Sequence, residues 1–237
     1  VGGEPVMRRL LCPPRLAALL LAPALTACAD DILLVGAFDG PDATAGLGVG
    51  ADSIVEDSFF KVSDDTFKLY YDNMIVRRNV VWQMDNGMVF QLSWNLNNDA
   101  SGIRVSDIDV IRVEHYREAN NRAVFGSIHG GSADLSDYVF EDIRIEGPIW
   151  RLVKLTALQT PWSRSPTSGT ISDLLFRDIS VEGPVLQANE IKTLEDTGRF
   201  EDITFENLTI GGTLITSPAE ANFDIDPNST SNIRFIP

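Results

Sequence analysis

From Val55 to the C-terminus the chain alternates short apolar runs with polar punctuation, and one six-residue phrase of that pattern recurs. It reads VEDSFF from Val55, VRRNVV from Val76, VSDIDV from Val105, FEDIRI from Phe140, FRDISV from Phe176 and FENLTI from Phe205. Each copy has an apolar residue, a polar one, then in most copies Asp or Asn, then a short β-prone run. The third positions, residues 57, 78, 107, 142, 178 and 207, are 21, 29, 35, 36 and 29 residues apart. Units of that size with uneven spacing are turns of a solenoid separated by loops of different length. Helical periodicity is weak, β-branched and aromatic residues dominate the copies, and Gly, Asn, Asp and Ser separate them. The pattern predicts an all-β fold, a right-handed single-stranded parallel β-helix whose coils stack about 4.8 Å apart. The rival, a sandwich of antiparallel hairpins, needs Asn-Gly or Asp-Gly turns at short regular spacing, and Asn86-Gly87 is one of few candidates.

One stretch puts charge inside the strand pattern. In VSDDTFKLYY, Val62 to Tyr71, Asp64 and Asp65 stand side by side. Neighbours on a strand point to opposite faces, so strict alternation places Asp65 on the buried side with Phe67 and Leu69. Burying an isolated ionised carboxylate is strongly unfavourable. The chain is therefore expected to bend at the pair and turn both groups into one solvated groove. Residues one coil apart lie above one another, which makes Asp39, 25 residues before Asp64, or Asp42, 22 residues before it, a candidate third carboxylate.

Clustered carboxylates repel, so one stays protonated near neutrality while its neighbours ionise. One acid plus one base is what glycoside hydrolysis requires; a gap wide enough for water gives inversion, a closer pair gives retention. Lys68 is placed to orient the carboxylates or to bond a sugar hydroxyl, and Tyr70, Tyr71, Trp82, Trp94 and Trp150 are candidates for stacking on sugar C–H faces. His115 and His129 are isolated and make no metal site; no cofactor is expected.

The stretches GAFDGPD, VEDSFFKVSDDTFKLYY and VVWQMDNGMVFQLSW resemble the catalytic coils of glycoside hydrolase family 49, the dextranases and isopullulanases, within the pectate-lyase-like β-helix superfamily. Members carry an Asp-Gly, then about one coil later an Asp-Asp with lysine and tyrosine, then a Trp-containing strand. The resemblance implies a hydrolase acting on an α-glucan such as dextran or pullulan with inversion. It makes Asp64 the general acid and gives the attacking water to Asp39 and Asp65. Polygalacturonases of family 28 share the fold, the Asp-Gly and the Asp-Asp, but their Gly-His-Gly and Arg-Ile-Lys are missing, and Ser127 to Gly131 is a distant echo. The other alternative is a non-catalytic β-helix that binds carbohydrate or serves as a surface protein.

The N-terminal part reads differently. From Met7, two arginines, an apolar run from Leu16 to Leu25 and small residues before Cys28 form a secretory signal, too short and wrongly flanked to span a membrane. LTAC resembles a lipoprotein processing site, so residues 1–28 are expected to be the signal, with Cys28 the lipid-modified first residue of a secreted or cell-surface protein. Residues 29–237 then form a partial β-helix domain without the N-terminal β-sandwich and leading coils of family 49. Removing residues 1–27 leaves 16 Lys and Arg against 33 Asp and Glu, a formal charge of −17. That charge argues against nucleic acid, an anionic membrane surface or a pectic substrate, and leaves a lipid on Cys28 as the membrane contact; a neutral oligo- or polysaccharide meets no such repulsion.

Overall fold

The computed structural model describes residues 36–37, 47–195 and 197–237. The proposed signal segment with Cys28, and both Asp39 and Asp42, lie outside the described residues. The strands are β1 (Gly36–Ala37), β2 (Ile54–Glu56), β3 (Phe59–Val62), β4 (Phe67–Lys68), β5 (Ile75–Gln83), β6 (Phe90–Trp94), β7 (Ala100–Val113), β8 (Phe125–Ile128) and β9 (Leu135–Ile145). They continue with β10 (Val153–Ala157), β11 (Thr170–Val181), β12 (Asn189–Thr193), β13 (Arg199–Glu206), β14 (Thr209–Ile210), β15 (Thr213–Leu214), β16 (Phe223–Ile225) and β17 (Thr230–Ile236). One sheet runs β1-β3-β5-β7-β9-β11-β13-β17 and the other β4-β6-β8-β10-β12-β16. Successive coils thus add one strand to each sheet. Among the described strands every pairing is parallel except that of β14 with β15. The fold is a parallel β-helix.

The recurring phrase marks a corner. All six third positions, Asp57, Arg78, Asp107, Asp142, Asp178 and Asn207, are left-handed, with φ between 52° and 54°. Five residues earlier in each coil comes a second left-handed corner, at Asp52, Asn73, Gly102, Asp137, Asp173 and Asp202. This conformation costs most side chains about 1–2 kcal/mol, and Asp, Asn and Gly adopt it most readily, which explains their recurrence there. Arg78 is the departure, and it is compensated: its guanidinium bridges Asp57 one coil below at 2.7 and 2.8 Å and Glu56 at 2.8 Å.

Each corner resets the inside-outside alternation. Along β11 the buried positions are Ile171, Leu174, Phe176, Ile179 and Val181, so gaps of three and two alternate instead of the uniform two of a flat strand. The inward side chains of successive coils therefore fall on one another. Phe140, Phe176, Phe205 and Phe235 form a stack with centroid spacings of 5.0, 4.9 and 4.8 Å, and Phe67, Phe90 and Phe125 form a second at 5.6 and 5.1 Å. Fully burying one such ring contributes about 1.5–3 kcal/mol. Polar groups in the interior are satisfied across coils; Asn79 accepts from the Ser58 backbone N–H at 3.0 Å and donates to the Val55 carbonyl at 3.0 Å.

Candidate active site

Asp64 and Asp65 follow β3 in a short bend that leads into β4, where the chain crosses from one sheet to the other. The bend turns Asp64 partly outward, but Asp65 is only 5% exposed. The expectation that both would be solvated therefore holds for Asp64 alone. Asp65 tolerates burial because the Met88 backbone N–H donates to its Oδ1 at 3.0 Å and because it holds a proton more tightly than usual. Burial pushes its carboxyl up to about 7, the charge of Asp64 adds to that, and the Met88 N–H and the Lys68 ammonium pull the other way. Asp64 is also raised, again by burial, with the Asp65 backbone N–H and Lys68 opposing.

The next coil sits directly on this pair. Asn86 Nδ2 donates to Asp64 Oδ1 at 3.2 Å, and the Asp65 backbone N–H donates to the same oxygen at 2.9 Å. Asp64 Oδ1 is thereby committed as an acceptor, which leaves Oδ2 to carry a proton. Gly87, with φ +80°, packs against the peptide joining the two aspartates; a Cβ there would stand 2.2 Å from the Asp64 carbonyl carbon and 2.2 Å from the Asp65 nitrogen.

A groove of about 360 Å³ opens over the pair, lined by Asp64, Asp65, Lys68, Tyr70, Asn86, Gln91, Trp94 and Asn121. Its floor follows the strand register, with Lys68 beside Gln91 and Gln91 beside Gly126. The Tyr70 hydroxyl donates to Gln91 Oε1, and burial, reinforced by the two aspartates, raises the phenol so that it stays protonated. Gln91 is buried at the groove floor, and its side-chain amide lies where it favours the charged form of Asp65.

One wall is the segment between β7 and β8. Asn121 Nδ2 donates to Asn86 Oδ1 at 3.1 Å, and Arg122 Nε donates to the Asp85 carbonyl at 2.7 Å. Glu118 anchors the segment to the buried Arg151 at 2.9 Å and to Lys154 at 2.7 Å. Burial opposes the Glu118 charge, but the two cations outweigh it and hold the carboxyl down at about 2.

A larger depression of about 740 Å³, bordered by Thr167, Thr193, Glu195, Arg199 and Asp226, has no aromatic lining residue and is not reached by Asp64 or Asp65. The carboxylate pair, the buried Gln91 amide beside it and the rings make the smaller groove the candidate site.

No family model matches the chain. Similarity to individual proteins is clear. The chain is 31% identical over 105 residues to isopullulanase from Aspergillus niger, which covers 44% of this chain and 18% of that one. It is 32% identical over 91 residues to dextranase from Talaromyces minioluteus, covering 37% and 14%. In structure it is similar to Dex49A from Penicillium minioluteum, with a TM-score of 0.65 and 21% identity across 81% of this chain and 35% of that one.

The chain is related to glycoside hydrolase family 49.

It spans less than a fifth of the length of the curated relatives it matches. Of the residues singled out in its sequence, this family-49-like chain brings Asp64, Asp65, Lys68, Tyr70 and Trp94 to one groove. Trp82 is elsewhere. It sits on β5, in the other sheet, with Lys61 Nζ 4.8 Å and Arg112 Cζ 5.2 Å from its ring and its Nε1 donating to Glu114 at 3.1 Å. Ala37, two residues before Asp39, pairs with Lys61, three residues before Asp64. His115 and His129 are buried, and burial lowers each to about 4; His129 Nδ1 meets Ser93 Oγ at 2.8 Å.

Sequence reasoning missed Asn86, Gly87, Gln91 and Asn121. Asn86-Gly87 was visible only as a turn. Gln91 becomes legible once the register is known, since 23 residues separate it from Lys68, its neighbour across the sheet.

Proposed function

We propose that this chain carries the catalytic coils of an α-glucan hydrolase of dextranase or isopullulanase type, acting with inversion at Asp64, Asp65 and Asp39. The observation that carries the reading is the aspartate pair, both members raised by burial, at the floor of a groove that also presents Lys68, Tyr70, Gln91 and Trp94. Similarity to isopullulanase and dextranase supports the substrate class.

Near neutrality the pair holds one proton. The donor has to reach the glycosidic oxygen, and geometry takes precedence over the bare pKa order. Asp64 is the more exposed member and its Oδ2 has no hydrogen-bond partner among the described residues, so it donates; Asp65 is too deep for that task. Placing the proton on Asp64 removes its charge, which is the second cause of Asp65's raised value, and so helps Asp65 to ionise. Ionised Asp65, with Asp39, then holds a water at the far face of the anomeric carbon. The C1–O bond to the leaving sugar breaks as the water oxygen bonds to C1. The Asp64 proton goes to the departing oxygen and a water proton to the carboxylates.

The test is hydrolysis of dextran, pullulan and polygalacturonate by the full chain, followed by reducing-end release and by proton NMR of the first anomer formed. Hydrolysis of an α-glucan with initial β-anomer supports the reading. An initial α-anomer removes the inverting mechanism, and release from polygalacturonate alone replaces the substrate class. Binding without release leaves the carbohydrate-binding alternative. The same reading makes the protein exported and held by a lipid on Cys28, in which case Cys28→Ala shifts it from the membrane fraction to the soluble fraction; an unchanged distribution removes the anchor.

A further inference from the structure

Beside the groove stands an indole that the reaction does not use. Trp162 is 68% exposed, the most exposed large apolar side chain among the described residues. Its ring centroid lies 6.3 Å from that of Trp94, at an interplanar angle of 49°, and Trp94 lines the groove. An apolar ring left this far in water gains from being covered.

The loop that carries the ring is also held. Trp94 ends β6 and is followed by Asn95 in a left-handed corner with φ 55°. Asn95 Nδ2 donates to Thr160 Oγ1 at 2.9 Å, and Asn95 Oδ1 accepts from Ser163 Oγ at 2.8 Å. Thr160 Oγ1 in turn accepts the Trp162 backbone N–H at 3.2 Å, while Ser163 Oγ accepts the Thr160 N–H at 2.9 Å. One asparagine thus ties the end of the groove strand to the loop that presents Trp162. The close approach depends on Gly130, where a Cβ would stand 2.2 Å from Asn95 Oδ1 and 2.4 Å from Ser163 Oγ. A side-chain network fixes the loop that presents the indole before any ligand arrives, which removes part of the ordering cost of binding.

We infer that Trp162, together with Trp94, forms a stacking platform for a glucosyl residue beyond those held at the Asp64–Asp65 pair, so that the protein favours longer chains over short ones. The inference rests on the groove being an α-glucan site. A pyranose ring offers apolar C–H faces that cover an indole while its hydroxyls stay wet. The loop that presents the ring is tied to the groove strand by the neutral side chains of Asn95, Thr160 and Ser163. Continuity with the groove through Trp94 names the occupant as the same chain that the aspartates address.

The test uses the full chain bearing Asp64→Asn, which holds ligand without turning it over, titrated calorimetrically with isomaltotriose to isomaltohexaose and with panose-type oligosaccharides from pullulan. Affinity is expected to rise with length, and adding Trp162→Ala should remove about three- to tenfold of that gain while leaving the shortest ligand's affinity unchanged. Trp162→Phe should recover most of the loss, which separates a stacking role from a folding defect. Equal length dependence in both proteins overturns the platform and leaves the groove reading standing. No binding of any α-glucan by either protein overturns both, and loss of affinity for every ligand regardless of length overturns the platform.

Discussion

Asn86, at the turn of one coil, donates to Asp64 Oδ1 of the coil beneath it at 3.2 Å, and is itself held by Asn121 at 3.1 Å. The carboxylate that faces the groove is therefore positioned from above by a neutral amide, and that amide by a third coil. Such a hydrogen bond favours the charged form of Asp64. Asn86→Ala removes it and raises the Asp64 carboxyl further. In the pH profile of kcat/KM the basic limb, set by loss of the Asp64 proton, should move to higher pH, while stability changes by only about 0.5–1.5 kcal/mol. A limb that stays in place would mean that Asn86 is structural only.

Gly87 sets the closeness of that approach. Gly87→Ala meets two penalties, a φ of +80° and a Cβ 2.2 Å from backbone atoms of both Asp64 and Asp65. The first alone costs about 1–2 kcal/mol, and the second can be relieved only by lifting the turn off the pair. The denaturant midpoint should fall, and activity should fall further than the unfolded fraction accounts for. Wild-type stability in Gly87→Ala would show that the turn does not press on the aspartates.

Asp65 links stability to pH with a definite sign. Its folded carboxyl is raised to about 7 from an ordinary 3.8, so the folded state binds the proton more tightly than the unfolded chain. The stabilisation is full below about pH 4 and is lost as pH rises to 7, amounting to about 4 kcal/mol at most. Asp65→Asn carries no charge, and its Oδ1 still accepts from the Met88 N–H. The variant should gain stability relative to wild type between pH 4 and 7 and hold a constant advantage above that. Parallel melting curves would refute the buried, proton-holding state of Asp65.

The coil was legible because its corners are. The third position of the recurring phrase is a left-handed residue in all six copies, and Asp and Asn were selected there by backbone sterics. The same corners hid the burial rhythm, since they replace strict alternation by gaps of three and two, as β11 shows. Asp65 was misjudged as solvated because the competing solution, a retained proton plus the Met88 N–H, leaves no trace in its neighbours along the chain. Trp82 and Trp94 fall within one coil, yet one is on β5 and the other on β6, and spacing along the sequence does not say which sheet receives which. The amides Asn86, Gln91 and Asn121 are neutral and unremarkable in composition; only register across coils brings them together.

Asp64 as the proton donor is tested most directly by the turnover of Asp64→Asn on an α-glucan substrate of the wild type, taken alongside its melting temperature. Replacing one of the clustered carboxylates by a neutral isostere relieves repulsion and keeps an acceptor for the Asp65 N–H and for Asn86. The melting temperature should therefore hold or rise while turnover falls by roughly 10²–10⁴ or more. Full turnover in Asp64→Asn, or a variant that no longer folds, would contradict the assignment.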